Sequence, residues 1–506
     1  MNKLIAAAAI TLAAMPAFAQ SPLADAIENG RREAALELIA EGADVNMAQG
    51  DGTTPLHWAA YHLDTELVER LIDRGARANT LNSYGASPLG EAAKAANADL
   101  VELLLKAGAQ VDAANADGET ALMLTARTGS AEVARLLIDA GADVNARESW
   151  REQTALMWAA EGATPELVKL LIAHGADVLA RAAANDWGSQ ITSEPRAQYR
   201  PTGGLTALLY AARSGCAECV RSILAAGEHV DRPTPDGVTA LMLAIDNYEF
   251  DTAKALLEAG ANPHLSDWWG RTALYLAVDM NSYVPRGGAA HTRSTTTAMD
   301  LVRTLLAAGV EVNPQLNFHR PGRGGNSARF VDDLLTTGAT PLLRAAIMHD
   351  EAAMRALLEA GARVDLPNVM GVTPLMAAAG IGVREPGFGA NRAPDFTSKQ
   401  IESEVVASLA ILLEAGADVN AAVTDLQSRT ARIARQSSMT DRQGQTALHS
   451  AAARGWPEVV EYLLEQGANP ALEDERGRTA LDLATTPVQG RPVPNSESIA
   501  TRLRDG

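Results

Sequence analysis

The chain has 506 residues, only 4% of them aromatic, and a formal net charge of −19 at pH 7. Because the phosphates of DNA and RNA repel a chain this acidic, we exclude nucleic acid as a partner. Abundant alanine, leucine and glycine favour short, closely packed helices, and stacked repeats reach this length without one large core.

Residues 1–19 have the pattern of a secretory signal peptide. Lys3 supplies a positive charge, an apolar run extends from Leu4 to Ala14, and Ala17-Phe18-Ala19 fits a cleavage site. The run is too short to span a bilayer, and no later stretch is long and apolar enough. We therefore expect export after removal of residues 1–19, to the periplasm if the source is Gram-negative, and no membrane span in the mature chain. The alternative is a buried N-terminal helix.

A repeat follows, and its first complete copy has Thr54 near its start and Gly75 near its end. The two markers share one period, and six of the ten steps between the threonine positions are 33 residues long. The position of Thr54 recurs at Ser87, Thr120, Thr154, Thr206, Thr239, Thr272, Thr340, Thr373, Thr446 and Thr479. A period of this length is typical of stacked repeats.

Each repeat reads as two helices joined by a turn. Thr54 is suited to the N-cap, and Pro55 to the first helical position, where its missing N–H has no consequence. Leu67 and Leu71 recur at helical spacing on a second helix. Gly75 then ends that helix in the left-handed conformation open to glycine.

These motifs resemble the ankyrin repeat family. The resemblance rests on Thr54-Pro55-Leu56-His57 with Ala59-Ala60 and on Gly42-Ala43-Asp44-Val45-Asn46, and it covers about residues 21–506 apart from insertions. It implies an all-α solenoid of about twelve helix-turn-helix units with short hairpin fingers. It also implies that fingers and the exposed side of the first helices bind other proteins.

Five insertions interrupt the repeat blocks 20–181, 204–316, 338–425 and 442–506. Three enlarge fingers, at 182–203, 317–337 and 426–441, and two enlarge the turn between paired helices, at 281–297 and 380–402. Together they contain more lysine and arginine than aspartate and glutamate, and Arg320 and Arg323 lie in the most basic stretch. Insertions on repeat arrays often lie at the binding face. The alternative is loops that are merely tolerated.

Aromatic residues cluster in the middle repeats and are candidate anchors for a partner, because Trp and Tyr are enriched at interface hot spots. The candidates at finger tips are Trp150, Trp268 and Trp269. Trp187 and Tyr199 lie in the first long finger, and Trp158 and Tyr210 lie on first helices. The alternative is local packing, above all for Trp158 and Tyr210, whose motif position often holds leucine.

Cys216 and Cys219 are the only cysteines. They open a predicted second helix, whose N-terminal dipole would lower a thiol pKa and make a redox site conceivable. A redox pair normally lies in a thioredoxin-like context, so the repeat context favours a local disulfide or buried thiols.

No catalytic, metal-binding or phosphate-binding motif is present, so we expect no enzyme activity, no metal and no cofactor. The predicted function is that of an exported scaffold, a monomer, that binds one or more proteins. The alternative is a dedicated accessory or protective subunit of a periplasmic, conceivably redox, enzyme.

Overall fold

The computed structural model describes residues 21–185, 202–281, 294–317, 334–382, 399–426, 439, 441–487 and 492–505. These residues form 24 helices that alternate as the first and second helix of successive pairs, so the predicted all-α repeat architecture is confirmed. The helices are α1 (Pro22–Glu28), α2 (Arg32–Ala40), α3 (Pro55–Tyr61), α4 (Thr65–Asp73), α5 (Pro88–Lys94), α6 (Ala98–Lys106), α7 (Ala121–Thr128), α8 (Ala131–Asp139), α9 (Ala155–Glu161), α10 (Pro165–Ala173), α11 (Ala207–Arg213), α12 (Ala217–Ala225), α13 (Ala240–Asp246), α14 (Phe250–Glu258), α15 (Ala273–Asn281), α16 (Ala298–Ala307), α17 (Pro341–Ile347), α18 (Glu351–Glu359), α19 (Pro374–Ala378), α20 (Lys399–Glu414), α21 (Ala447–Arg454), α22 (Pro457–Glu465), α23 (Ala480–Thr485) and α24 (Ser496–Asp505).

Two strands of two residues, β1 (Ala184–Asn185) and β2 (Thr202–Gly203), pair at the base of the predicted finger insertion 182–203. The pairing continues beyond the strands, because the Ala182 N–H donates to the Leu205 carbonyl and the Gly204 N–H donates to the Ala183 carbonyl. The predicted signal peptide, 1–19, lies outside the described residues.

The chain divides into two compact units. Among the described residues, unit 1 contains 21–185, 203–211 and 222–228, and unit 2 contains 202, 212–221 and those from 229 onward. In unit 1 the first helices α1, α3, α5, α7 and α9 pack in series, and so do the second helices α4, α6, α8 and α10. In unit 2 the first helices α13, α15, α17, α19, α21 and α23 pack in series, and so do the second helices α14, α16, α18, α20, α22 and α24.

Capping residues set where the helices begin and end. The Thr340 hydroxyl accepts a hydrogen bond from the Leu343 N–H at 3.1 Å, and Pro341 occupies the first helical position of α17. Asp64 caps α4 in the same way, accepting from the Leu67 N–H at 3.0 Å. Gly75 follows α4 with φ +88°, which favours glycine. The helix boundaries therefore follow from local sequence.

The core of each unit lies between the stacked helices. Leu56, Leu89 and Leu122 hold the same place in α3, α5 and α7 and are at most 1% exposed. Burying one leucine side chain contributes about 1.5–3 kcal/mol. A single helix pair would leave part of this surface in water, so each repeat is stabilised by stacking on its neighbours.

Neighbouring fingers are joined by hydrogen bonds from backbone to backbone. The Asp51 carbonyl accepts from the Ser83 N–H at 2.7 Å, and the Tyr84 carbonyl accepts from the Ala116 N–H at 3.3 Å. Gly85 has φ +72°, and a Cβ there would lie 2.5 Å from the Ala116 nitrogen. This finger position therefore favours glycine for both its conformation and its close contact.

His57 links one finger to the next. Its Nδ1 lies 3.1 Å from the Thr54 N–H that donates to it, and its Nε2 lies 3.0 Å from the Ala86 carbonyl oxygen. This pair of partners requires the neutral ring with its proton on Nε2. Burial lowers the pKa of His57, against the opposing effect of the Ala86 hydrogen bond.

The second helix α20 begins inside the predicted insertion 380–402. It has 16 residues, whereas α18 before it has nine. Glu402 of α20 is buried and accepts a hydrogen bond from the Glu458 N–H at 2.9 Å. The last residues of this insertion therefore extend the second helix, and Glu402 binds the backbone of the following repeat.

Candidate protein-binding surface

One row of side chains is exposed along the first helices of unit 1. The residue seven after each N-cap is exposed and the residue four after it is half-buried, while the two residues between them are buried in every one of these helices. Positions three apart share one face of a helix, so the side chains form a continuous row. We call it the exposed row, and its ten members are Asp25, Glu28, Trp58, Tyr61, Glu91, Lys94, Leu124, Arg127, Trp158 and Glu161.

Two aromatic residues of the exposed row lie together on α3. The Trp58 and Tyr61 rings meet edge to face with their centroids 5.7 Å apart. The Trp58 indole N–H donates to the Gln49 amide oxygen at 2.7 Å. Neither residue is among those predicted from the sequence, although Trp58 occupies the same repeat position as Trp158.

Trp158 lies at one end of the exposed row and is half-buried. The Arg127 guanidinium carbon lies 5.5 Å from the centroid of its ring, within the range of a cation–π contact. Arg127 also lies 3.8 Å from the Glu119 carboxylate. Trp158 is therefore a partly exposed aromatic with a neighbouring cation.

A cavity of about 240 Å³ opens beside the exposed row between α5 and α7. Its apolar wall includes Tyr84, Ala86 and Leu124, and Gly90 lies where a side chain would otherwise fill the space. Tyr84 lines the cavity from the finger, and it is 69% exposed. Tyr84 and Gly90 are not among the residues predicted from the sequence.

The same positions are buried at α15 and α17 of unit 2. Leu276 and Asp279 of α15 are fully buried, and so is Arg344 of α17. The Arg344 Nε donates to the Asp279 carboxylate at 2.6 Å, which pairs the two charges. In the part of unit 2 that the structure describes, α15 and α17 therefore present no exposed row.

The aromatic residues predicted from the sequence fall into two groups. Trp150 is 80% exposed on a finger of unit 1, and its ring lies under the Arg151 guanidinium at 5.4 Å. Trp268 is 49% exposed. Both side chains are therefore accessible to a partner.

Tyr210 and Trp269 are each only 4% exposed, so their prediction as surface anchors is wrong. Tyr210 accepts a hydrogen bond from the Gln153 amide, in agreement with the packing alternative. The Trp269 N–H donates to Asp267, and its ring lies under Arg271 at 5.1 Å. The ring therefore turns inward while its neighbour Trp268 stays exposed.

The other predicted contacts, Trp187, Tyr199, Arg320 and Arg323, lie outside the described residues. Residues that border or end three insertions do meet, however. A Cβ on Gly382 would lie 2.7 Å from the Leu334 Cδ2 and 2.6 Å from the Met439 Sδ. Since Leu334 and Met439 are buried, the insertions 317–337, 380–402 and 426–441 share a packed base.

Cys216 and Cys219 are joined by a disulfide at the start of α12. Cys219 is fully buried and Cys216 is 8% exposed, and the Cys219 N–H lies 3.2 Å from the Cys216 Sγ. Burial keeps solution thiols away from the pair. The geometry agrees with a local structural disulfide better than with a redox site.

The described residues lack two further features. They contain no group of three or more histidine, cysteine, aspartate or glutamate residues that could hold a metal ion. Nor do they contain a helix that is both long enough and apolar enough to cross a membrane.

Comparison with known proteins identifies the repeat. The family model described as "Ankyrin repeats (3 copies)" matches residues 23–115, 91–182, 189–267, 208–285 and 411–489, which together exceed half of the chain. Ankyrin repeat and SOCS box protein 16 of Mus musculus is 33% identical over 166 residues, 33% of this chain and 30% of that protein. Its Homo sapiens counterpart is 31% identical over 247 residues, 45% and 46% of the two chains.

The chain therefore spans less than half the length of these curated relatives. Among solved structures, that of the human ASB11 ankyrin repeat domain is 24% identical with a TM-score of 0.39, and the match covers 48% of this chain and all of that one. With matches over both the N-terminal and the C-terminal repeats, the chain belongs to the ankyrin repeat family.

Proposed function

We propose that this chain is an exported, non-catalytic scaffold that binds another protein through the exposed row of unit 1. The observation that carries the proposal is the contrast between α3 and α9 of unit 1 and α15 and α17 of unit 2. Trp58, Tyr61 and Trp158 are accessible in unit 1, whereas Leu276 and Arg344, at the position of the two tryptophans, are buried in unit 2. Exposed tryptophan and tyrosine on a rigid surface are typical of interface hot spots.

Rigid backbones present the exposed row. Its side chains project from capped helices that pack in series, so little order has to be gained on binding. Pre-organisation of this kind lowers the entropic cost of association. The exposed finger residue Trp150 extends the proposed surface beyond the helices.

The charge of unit 1 favours a basic or neutral partner. Residues 21–185 contain 25 aspartates and glutamates against 13 lysines and arginines. Complementary charge increases the rate of association and disfavours acidic partners. The charged members of the exposed row include Asp25, Glu28 and Glu161, which would face such a partner.

Export is supported by two independent features. Residues 1–19 have the signal-peptide pattern, and the disulfide between Cys216 and Cys219 is of the kind that persists in oxidising compartments. Cell fractionation, N-terminal sequencing and thiol labelling test this. A periplasmic chain that begins at Gln20 with both cysteines unlabelled is expected, and a cytoplasmic chain with an intact N-terminus would contradict export.

Binding is tested by affinity capture in the source organism with variants of the exposed row. The variant Trp58→Ala with Trp158→Ala should lose the partner, while Leu179→Ala, which removes an exposed apolar side chain elsewhere in unit 1, should retain it. Circular dichroism must show that all variants fold. Equal capture by all of them would refute the proposed surface.

The identity of what is captured separates two kinds of scaffold. One dominant stoichiometric enzyme would make the chain a dedicated accessory or protective subunit of that enzyme. Several unrelated proteins would make it a general scaffold. Turnover of substrates by the isolated chain would contradict the non-catalytic assignment.

A further inference from the structure

Gly90 of α5 has no conformational reason to be glycine. It lies inside a helix, where glycine is unfavourable, and its φ is not in the positive range. A Cβ built on it would lie 3.2 Å from the Ser87 Oγ and 3.5 Å from the Leu124 Cδ1, so a small side chain would need only slight adjustment. The finger glycine Gly85, in contrast, is required by its backbone contact.

The equivalent position in neighbouring repeats is filled. Met123 in α7 and Met157 in α9 are buried there, and His57 in α3 is buried there too. The missing side chain of Gly90 leaves the cavity of about 240 Å³. A site that could be packed is thus left open, and its opening lies along the exposed row.

The walls of the cavity suit an uncharged side chain. Tyr84, Ala86, Ala113 and Leu124 supply apolar surface. The four charged side chains that line it are two carboxylates and two cations, Glu91, Glu119, Lys94 and Arg127, so neither sign prevails. A cavity of about 150 Å³ already holds benzene, so this one has room for an aromatic ring.

Outside the cavity the surface is acidic. The exposed row carries Asp25 and Glu28 at one end and Glu161 at the other, and residues 21–185 have nearly twice as many acidic as basic side chains. Lysine or arginine in a bound segment would favour binding where the segment reached either end of the row.

We propose that the cavity at Gly90 is the pocket for one aromatic side chain, presented by a basic segment of the partner protein. This inference rests on the proposed function, because it names the chemistry of the partner that the exposed row would bind. The ring enters between Tyr84 and Leu124, and the flanking basic residues pair with the carboxylates of the row.

A small probe tests the pocket without the partner. N-acetyl-tryptophanamide at millimolar concentration should shift the methyl resonances of Ala86, Ala113 and Leu124, and N-acetyl-glycinamide should not. The shifts should disappear in Gly90→Met, which fills the site with the residue of α7 and α9, and should persist in Gly90→Ala. If N-acetyl-tryptophanamide shifts no methyl resonance, or shifts them equally in Gly90→Met, the pocket is refuted.

The partner obtained by capture supplies the second readout. Gly90→Met should keep the wild-type melting temperature and weaken partner binding at least about tenfold, while Gly90→Ala should change it less than about threefold. Binding should also weaken as NaCl rises from about 50 to 500 mM, since basic and acidic surfaces are screened. Salt-independent binding would refute the basic character of the segment.

The two proposals can fail separately. If Gly90→Met binds the partner as the wild type does while Trp58→Ala with Trp158→Ala does not, the pocket is refuted and the exposed row stands. If none of these variants alters capture, the proposed binding surface itself is refuted.

Discussion

The buried ion pair between Asp279 and Arg344 offers a sharp test of how unit 2 is held together. The Arg344 Nε lies 2.6 Å from the Asp279 carboxylate, and neither side chain reaches solvent. Asp279 lies on α15 and Arg344 on α17, so the pair joins the first helices of neighbouring repeats. Replacing Arg344 by Met removes the charge while keeping a flexible apolar side chain of similar length.

The expected loss is large because the remaining carboxylate stays buried. Removing one partner of a buried ion pair destabilises a protein by about 3–5 kcal/mol, whereas replacing both by apolar residues is often close to neutral. We expect Arg344→Met to lower the free energy of unfolding of unit 2 by that amount. The double variant Arg344→Met with Asp279→Leu should recover most of the loss.

The assay is urea unfolding monitored by hydrogen exchange of α15 and α17, because a long repeat array need not unfold in one step. The matched control is Arg355→Met on α18, where Arg355 pairs with Glu351 at 3.6 Å with both side chains about half exposed. Exposed pairs contribute at most about 1 kcal/mol. If Arg344→Met costs no more than Arg355→Met, the reasoning about the buried pair is wrong.

Three further predictions concern single residues. Burial, with a smaller contribution from Arg454, lowers the pKa of His349 to about 4, so the folded state disfavours its protonation. The contribution of the neutral ring to stability is therefore present above about pH 6.5 and is lost as the pH falls toward 4, with about 2 kcal/mol lost at pH 5. His349→Gln should remove this difference in unfolding free energy between pH 7 and pH 5, as measured by denaturation curves at the two pH values. Glu152 has φ +52° at the finger position that Gly118 fills in the preceding repeat. Glu152→Gly should therefore stabilise unit 1 by about 0.5–1 kcal/mol. An unchanged or lower melting temperature would contradict this. Gly382→Ala places a methyl group against Leu334 and Met439. It should therefore speed proteolysis within the three insertions 317–337, 380–402 and 426–441. Faster cleavage of the insertion 380–402 alone would show that the three insertions are independent.

The repeat and its helices could be predicted because their determinants are local. Thr340 caps its helix through its own hydroxyl, Pro341 has the right φ for the first turn, and Gly75 ends a helix with a positive φ. Each of these effects operates within a few residues. They recur from repeat to repeat, so the pattern can be recognised even where single repeats carry substitutions.

Which aromatic residues are exposed could not be predicted in the same way. Trp268 and Trp269 are adjacent on one finger, yet the first is half exposed and the second is buried. The difference arises from Asp267, which accepts the Trp269 N–H and binds Arg271, so that Arg271 covers the Trp269 ring. This arrangement depends on side-chain geometry that residue types alone do not determine.

The Gly90 cavity could have been found from the sequence, because glycine is unusual at the third position of a helix that begins with Ser-Pro. The aligned residues His57, Met123 and Met157 show what normally fills that place. The comparison requires aligning the repeats position by position and asking which side chain is missing. A search for aromatic and charged residues passes over a site that is made by the absence of a side chain.

The repeat determines which side of each first helix faces away from the core, but not whether that side is available to a partner. Trp58 and Trp158 occupy the same repeat position as Leu276 and Arg344, yet only the two tryptophans are accessible. Arg344 has the charge expected of a solvent-facing residue and is nevertheless buried against Asp279. Burial of that charge is tolerated because its partner is buried with it, so polarity at a repeat position is weak evidence of exposure. A binding residue in such a chain must therefore be identified from the accessibility of its own repeat, and by this criterion α3 and α9 are candidates whereas α15 and α17 are not.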